Sequence, residues 1–436
     1  MSITIGGDSA AAHGRSVTPR GYTAALAVLA TVFFMWGFAT VLNDILVPHL
    51  KSAFRLDYAQ SLLIQFVFYL GYLIMALPAA KVLERTGYKL AVVLGLLGMS
   101  ASAAVFIPAA MLESYGAFLL ALFMLASAIT LLQVAANPYV AVIGAPETAS
   151  SRLNLVQAFN SAGTTLAPLF GGLLIIGRSV TGTEHGSVVL SAQQRAADVA
   201  TVELPYALVA LVLLALALLV WRVRLPDLGT EARRAARAER SRHSLWRHRN
   251  LVFGVPAIVF YMICEIGIGS TLVSFLSMPR IGALSHERAA EYLMLYWGGA
   301  MTGRFIGAWL MRWIAPQRML AAVSIGALVL AGTAISSSGP LAMWSLIAVG
   351  LCNSVMFPTL FTLGIRGLGP LTEEGSGLLI MAIAGGALAE LQGVLADRIG
   401  LQLSYVLPWA CYVYVLFYAL WGSRTTGALA DERLIS

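Results

Sequence analysis

Long uncharged apolar runs alternate with short polar breaks along almost the whole chain. Runs of spanning length, for which about 20 residues suffice, fall near 23–47, 60–80, 89–111, 115–143, 153–176 and 204–221. They resume near 251–278, 292–311, 319–336, 341–365, 376–396 and 402–422. The pattern predicts an all-α membrane protein with twelve transmembrane helices, because only helices and closed barrels satisfy their own backbone in lipid. The longest polar stretch, 223–250, contains EARRAARAERSRHSLWRHR and parts the runs six and six. The expected organisation is a tail over 1–22, a six-helix half over 23–222, a basic linker over 223–250, a second six-helix half over 251–422, and a tail over 423–436.

The two halves echo each other. GYLIMALPAAKVLERTGYKLAVVLGLLG leaves the second run, turns through charge and enters the third; GGAMTGRFIGAWLMRWIAPQRMLAAVSIGA does the same from the eighth into the ninth. Two parallel repeats of this kind typify the major facilitator architecture, whose halves rock about a midplane site.

Basic residues orient the runs. Lys81, Arg85 and Lys89 lie between the second and third, Arg312 and Arg318 between the eighth and ninth, and nine arginines between the sixth and seventh, from Arg222 to Arg249. The alternate connections are poorer in bases, which predicts both termini in the cytoplasm. Residues 1–20 carry Arg15 and Arg20, but no small-residue cleavage site ends the next run, so the first helix is expected to be retained.

Composition agrees with this picture. The chain is 59% hydrophobic and 11% charged, against about 25% charged in soluble domains. The net charge of +7 lies in the loops and fits an anionic leaflet; no nucleic-acid partner is implied. Cys264, Cys352 and Cys411 each sit inside an apolar run, and the six histidines lie outside the long runs. Neither set forms a metal or disulfide pattern, no cofactor is expected, and no nucleophile–base pair points to an enzyme.

Polar side chains inside the runs are the candidate chemistry. Asn43 and Asp44 end the uncharged stretch TAALAVLATVFFMWGFATVLN. An acid in a span usually faces a bundle interior or cavity, although Pro48, His49 and Lys51 also allow an interfacial position. Gln133 and Asn137 are four apart and share a helix face. Asn154, Gln157 and Asn160 are each three apart and share another. Such amides can glue helices together; two stripes of them on neighbouring helices instead favour a polar cavity, with the donors and acceptors that polyol hydroxyls require. Glu265 stands in a run without a base, Asn353 precedes Pro358, and Glu390 is either intramembrane or at the cytoplasmic end. Trp36 and Tyr69 are the aromatic rings best placed to stack on a sugar. Lys81, Glu84, Arg85 and Arg304 read as helix-end charges, serving either gating between the halves or topology alone.

Several pieces resemble the fucose:proton symporter family of the major facilitator superfamily, and within it the bacterial glucose/galactose transporter group. They include FFMWGFATVLNDILVPHLK, LLQVAANPYVAVIG, RLNLVQAFNSAGT and NSVMFPTLFTLGIRGLG. The resemblance covers nearly every run from the first to the eleventh. It implies a monomeric inner-membrane permease that carries a monosaccharide, such as glucose or galactose, with a coupling cation, H⁺ or Na⁺, and with membrane lipids as its surroundings. It also implies that Asp44 matches an essential acid and that Gln157 and Asn160 belong to the sugar cavity. Gln133 stands where the fucose symporter carries a second acid. That difference, with Glu265, inclines the expectation toward glucose and galactose and away from fucose. Drug efflux and a non-transporting sugar sensor are the rival readings.

Overall fold

The computed structural model describes residues 19–53, 58–112, 114–174, 203–226 and 244–425, with side chains described outside 19–21, 42–53, 58–62, 110 and 169–174. Every regular element among them is helical. In chain order these are α1 Pro19–Ala53, α2 Tyr58–Met111, α3 Tyr115–Val142, α4 Ala149–Leu174, α5 Glu203–Arg222, α6 Arg249–Leu276 and α7 His286–Leu310. There follow α8 Pro316–Ser336, α9 Gly339–Asn353, α10 Met356–Ile365, α11 Thr372–Met381, α12 Glu390–Ile399, α13 Leu401–Ser404 and α14 Val406–Phe417. A 3₁₀ segment, Ala382–Ala389, joins α11 to α12. Nine helical stretches among the described residues are long and apolar enough to cross a membrane.

The charged break expected between the second and third runs is only one residue deep. Helix α2 runs through Lys81, Glu84 and Arg85, breaks at Gly87 with φ 80°, and resumes at once. Only glycine adopts that backbone region without steric cost.

Helix ends are closed by side chains. Ser114 and Ser285 accept from backbone amides of α3 and α7, as N-caps do. The carbonyls at the far end of α3 are taken by Arg152, which donates Nε to Val140 O at 3.1 Å and Nη2 to Ala141 O at 2.6 Å. Asn250 does the same for α10, donating Nδ2 to Leu363, Gly364 and Arg366 carbonyls at 2.8–3.0 Å. Without such partners these carbonyls would remain unpaired.

The helices up to residue 226 pack largely on one another, α2 on α3 and α5, and α1 on α4; those from residue 244 form a second group. The two groups meet where α4 touches α7 and α10 and where α11 touches α2 and α3. Large apolar side chains such as Leu211, Val329 and Leu341 face outward, as a lipid-facing surface requires.

The α1–α4 contact depends on glycine. A Cβ on Gly163 would lie 2.1 Å from Phe34 O, and one on Gly37 would lie 2.3 Å from Asn160 O. Overpacking of this kind typically costs about 1–3 kcal/mol. Gly163→Ala is therefore expected to lower the thermal unfolding temperature in detergent. An unchanged temperature would mean that α1 and α4 can separate freely.

Candidate functional site

Between the two helix groups lies a cavity of 730 Å³. Its lining begins near the starts of α3 and α7, at Tyr115 and Ala290, and reaches Ser161 and Arg304. Beyond that depth the groups are bonded together. Ser150 and Thr362 hydroxyls lie 2.6 Å apart, and Ser151 Oγ donates to Ala308 O at 2.5 Å. Ser376 Oγ donates to Val134 O at 2.9 Å. The cavity is thus open at one end and shut at the other. The shut end carries the breaks at 143–148, 311–315 and 366–371 and most of the described basic residues, Lys81, Arg85, Arg152, Arg249, Arg312 and Arg366 among them.

Gln133, Gln157, Asn160, Trp36 and Tyr69 all line this cavity. Gln133 Nε2 donates to Tyr72 Oη at 2.6 Å, while its Oε1 has no hydrogen-bond partner. Asn160 Nδ2 donates to Phe33 O at 2.9 Å, fastening α4 to α1. Gln157 Nε2 donates to Asn137 Oδ1 at 3.4 Å. Asn137 is fully buried and absent from the lining, so it orients Gln157 instead of facing the cavity. Hydroxyls on the same helix extend the α4 face, at Ser161, Thr164 and Thr165. The spacing from Gln157 to Ser161 and Thr164 is helical, a signal that a search restricted to amides passes over.

Glu265 and Arg304 are the charged members of the lining among the described residues. Arg304 Nη2 lies 3.7 Å from Glu265 Oε1, and each side chain is 13% exposed. Arg304 Nε also donates to Ser354 O at 3.0 Å, and Nη1 donates to Ser161 Oγ. The expectation of Arg304 at a helix end is corrected here: it sits in the cavity wall, six residues before the end of α7. Its partner Glu265 lies on α6, too distant in sequence for the pair to be visible there.

Asn353 is also placed differently from expectation. It is 1% exposed and absent from the lining. Its Nδ2 donates to Tyr296 Oη at 2.9 Å and its Oδ1 accepts from Tyr412 Oη at 2.6 Å. Each end of the amide has a tyrosine partner, so it braces α9 against α7 and α14, buried away from the cavity. Lys81, Glu84 and Arg85 lie away from the cavity, before the Gly87 break. Glu390 is exposed and opens α12, toward the open end, not the basic one. Asn43 and Asp44 fall within helical α1, but their side chains lie outside those described.

Residues 27–389 match the profile of the Major Facilitator Superfamily. The chain belongs to that superfamily. It is 45% identical over 414 residues to the glucose/galactose transporter of Brucella abortus biovar 1 (strain 9-941), covering 95% of this chain and 97% of that one. To the L-fucose-proton symporter of Escherichia coli K12 it is 33% identical over 418 residues, covering 93% and 94%. Among solved structures, FucP in the outward conformation superposes with a TM-score of 0.82 at 31% identity, over 93% of this chain and all of that one (100%). The resemblance read from the sequence motifs therefore holds for family and fold. This major facilitator is a multi-pass membrane protein, and its relatives are named as transporters, not enzymes.

Proposed function

We propose that this chain is a secondary active sugar transporter that carries a hexose, glucose or galactose, in symport with a cation, H⁺ in preference to Na⁺. One observation carries the reading: a cavity closed at one end between two helix groups, whose wall offers amides, hydroxyls, aromatic rings and an internally neutralised ion pair. A neutral polyol needs many hydrogen-bonding groups and no net charge, and this wall supplies both. The names of the relatives point the same way.

In this reading Asn43, Gln133, Gln157 and Asn160 hydrogen-bond the sugar hydroxyls, and Trp36 and Tyr69 stack against the ring face. Asn137 positions Gln157. Asn353 is left out of the binding set because it is buried away from the cavity lining, bonded to two tyrosines. Asp44 is the coupling acid of the first half and Glu265 a second carboxylate, in the wall contributed by the other half. Lys81, Glu84 and Arg85 act with Arg304 in gating the two halves.

The spans number six before the linker, counting α2 as two about Gly87, and six after it, counting α9–α10, α11–α12 and α13–α14 as one each. The concentration of bases at the shut end supports a cytoplasmic location for that end. It likewise supports cytoplasmic termini in the bacterial inner membrane, and an outward-facing conformation of a carrier that works by alternating access as a monomer in this reading.

Uptake of labelled glucose into proteoliposomes, with galactose and fucose as competitors, tests the substrate. Glucose uptake suppressed by galactose more than by fucose is expected. Fucose as the stronger competitor would move the assignment to a deoxyhexose. Sugar binding without flux would make the protein a sensor. An imposed proton gradient should drive accumulation, whereas strong uptake from a sodium gradient at constant pH would replace H⁺ by Na⁺.

A further inference from the structure

Arg304 joins three helical regions at one point. Nη2 faces Glu265 on α6, Nε donates to Ser354 O just after α9, and Nη1 crosses to Ser161 Oγ on α4 of the other helix group. The Ser161 hydroxyl donates its own hydrogen to Gln157 O at 3.2 Å. Its lone pairs are therefore presented to Arg304, and the contact has a fixed direction. The side-chain bonds described above across the closed end, Ser150 to Thr362, Ser151 to Ala308 and Ser376 to Val134, join neutral partners. The Ser161 to Arg304 contact differs from these in that its strength depends on a charge, and bonds to ionised groups are about twice as strong as neutral ones.

Building on the alternating-access reading, we infer that Ser161 is a positioning residue that ties Arg304 to the first helix group, and that the Glu265 carboxylate holds the guanidinium in place for that tie. While Glu265 is ionised, Arg304 is held at the boundary and the closed end stays shut. When Glu265 is neutral, Arg304 keeps only neutral acceptors there and is drawn toward cavity water, so the closed end opens more readily. Tyr261, Tyr296 and Cys264 are the other titratable groups near Glu265, and Arg304 is the opposite charge among these neighbours. The arrangement assigns coupling in the second half to a defined route: from Glu265 through Arg304 to Ser161, one helical turn from Gln157 in the sugar wall.

Closed-end opening can be read without any sugar. Ala308 is 5% exposed and sits at that end beside Ser151, so Ala308→Cys is a reporter for a membrane-impermeant maleimide applied from the closed side. The native cysteines supply the background rate in the protein without the reporter. Losing a hydrogen bond to a charged group corresponds to roughly a tenfold shift in the open population. Ser161→Ala should raise reporter labelling by about that factor, and Ser161→Thr, which keeps the hydroxyl, should restore the parental rate. Glu265→Gln should raise labelling as Ser161→Ala does, and the double variant should label no faster than either single one. Parental labelling in Ser161→Ala, or independent additive effects of the two changes, would overturn the inference. The hexose assignment is unaffected by this assay and stands or falls on the uptake experiment.

Discussion

Arg304→Met is expected to destabilise the protein more than the double change Arg304→Met with Glu265→Met. The pair lies 3.7 Å apart with both side chains 13% exposed, largely removed from solvent. Taking one partner from a buried pair leaves the other uncompensated and costs about 3–5 kcal/mol, whereas replacing both by apolar groups of similar volume is often near neutral. Arg304 also loses its bonds to Ser354 O and Ser161 in either variant, so those losses cancel in the comparison. What remains is the cost of leaving Glu265 alone in the cavity wall. Thermal unfolding in one detergent and at one pH gives the measurement, with the double variant expected to melt higher than Arg304→Met. Equal melting temperatures would show that the carboxylate gains nothing from its partner, and the charge-dependent tie to Ser161 would lose its basis. Transport should fall in both variants, because neither retains the crossing contact.

How much of this was legible beforehand depends on the distance over which each signal acts. Spanning helices are a local property of composition, and the chain declares them plainly; the α2 break was foreseen as a charged loop, yet Gly87 alone turns the backbone. The amide stripes of α3 and α4 were legible because helical spacing puts Gln133 and Asn137 on one face, and Gln157 and Asn160 on another. Which member of each stripe faces the cavity was not, since that depends on the neighbouring helix. Asn137 turns to Gln157, and Asn353 is enclosed by Tyr296 and Tyr412, contacts made across long sequence separations. The pairing of Glu265 with Arg304 was hidden for the same reason. In the sequence alone, one is a buried acid and the other a helix-end base. Ser161 carried a visible signal, its position four residues after Gln157, but a lone serine in an apolar helix usually bonds back to its own carbonyls.

Asp44→Asn should abolish accumulation of sugar against a gradient while leaving exchange of sugar across the membrane. Position 44 follows Trp36 by eight residues and Thr40 by four, the spacing of one helix stripe. Trp36, Gly37, Thr40 and Val41 all line the cavity, and α1 is helical through this point. In the reading proposed above, the acid binds the cation that neutralises it before the halves rock. The amide mimics the neutral state permanently, so the carrier can still cycle with sugar but no longer draws on the ion gradient. Gln133 makes the test sharper: an amide cannot carry a proton, its Nε2 is donated to Tyr72, and no acid on α3 stands ready to substitute. Counterflow and gradient-driven uptake, measured side by side over a range of pH, separate the two functions. The expected outcome is counterflow near the parental rate with gradient-driven accumulation reduced to background at every pH. If Asp44→Asn still concentrates sugar, coupling must reside in Glu265, and the same pair of assays on Glu265→Gln would then show the loss that Asp44→Asn did not.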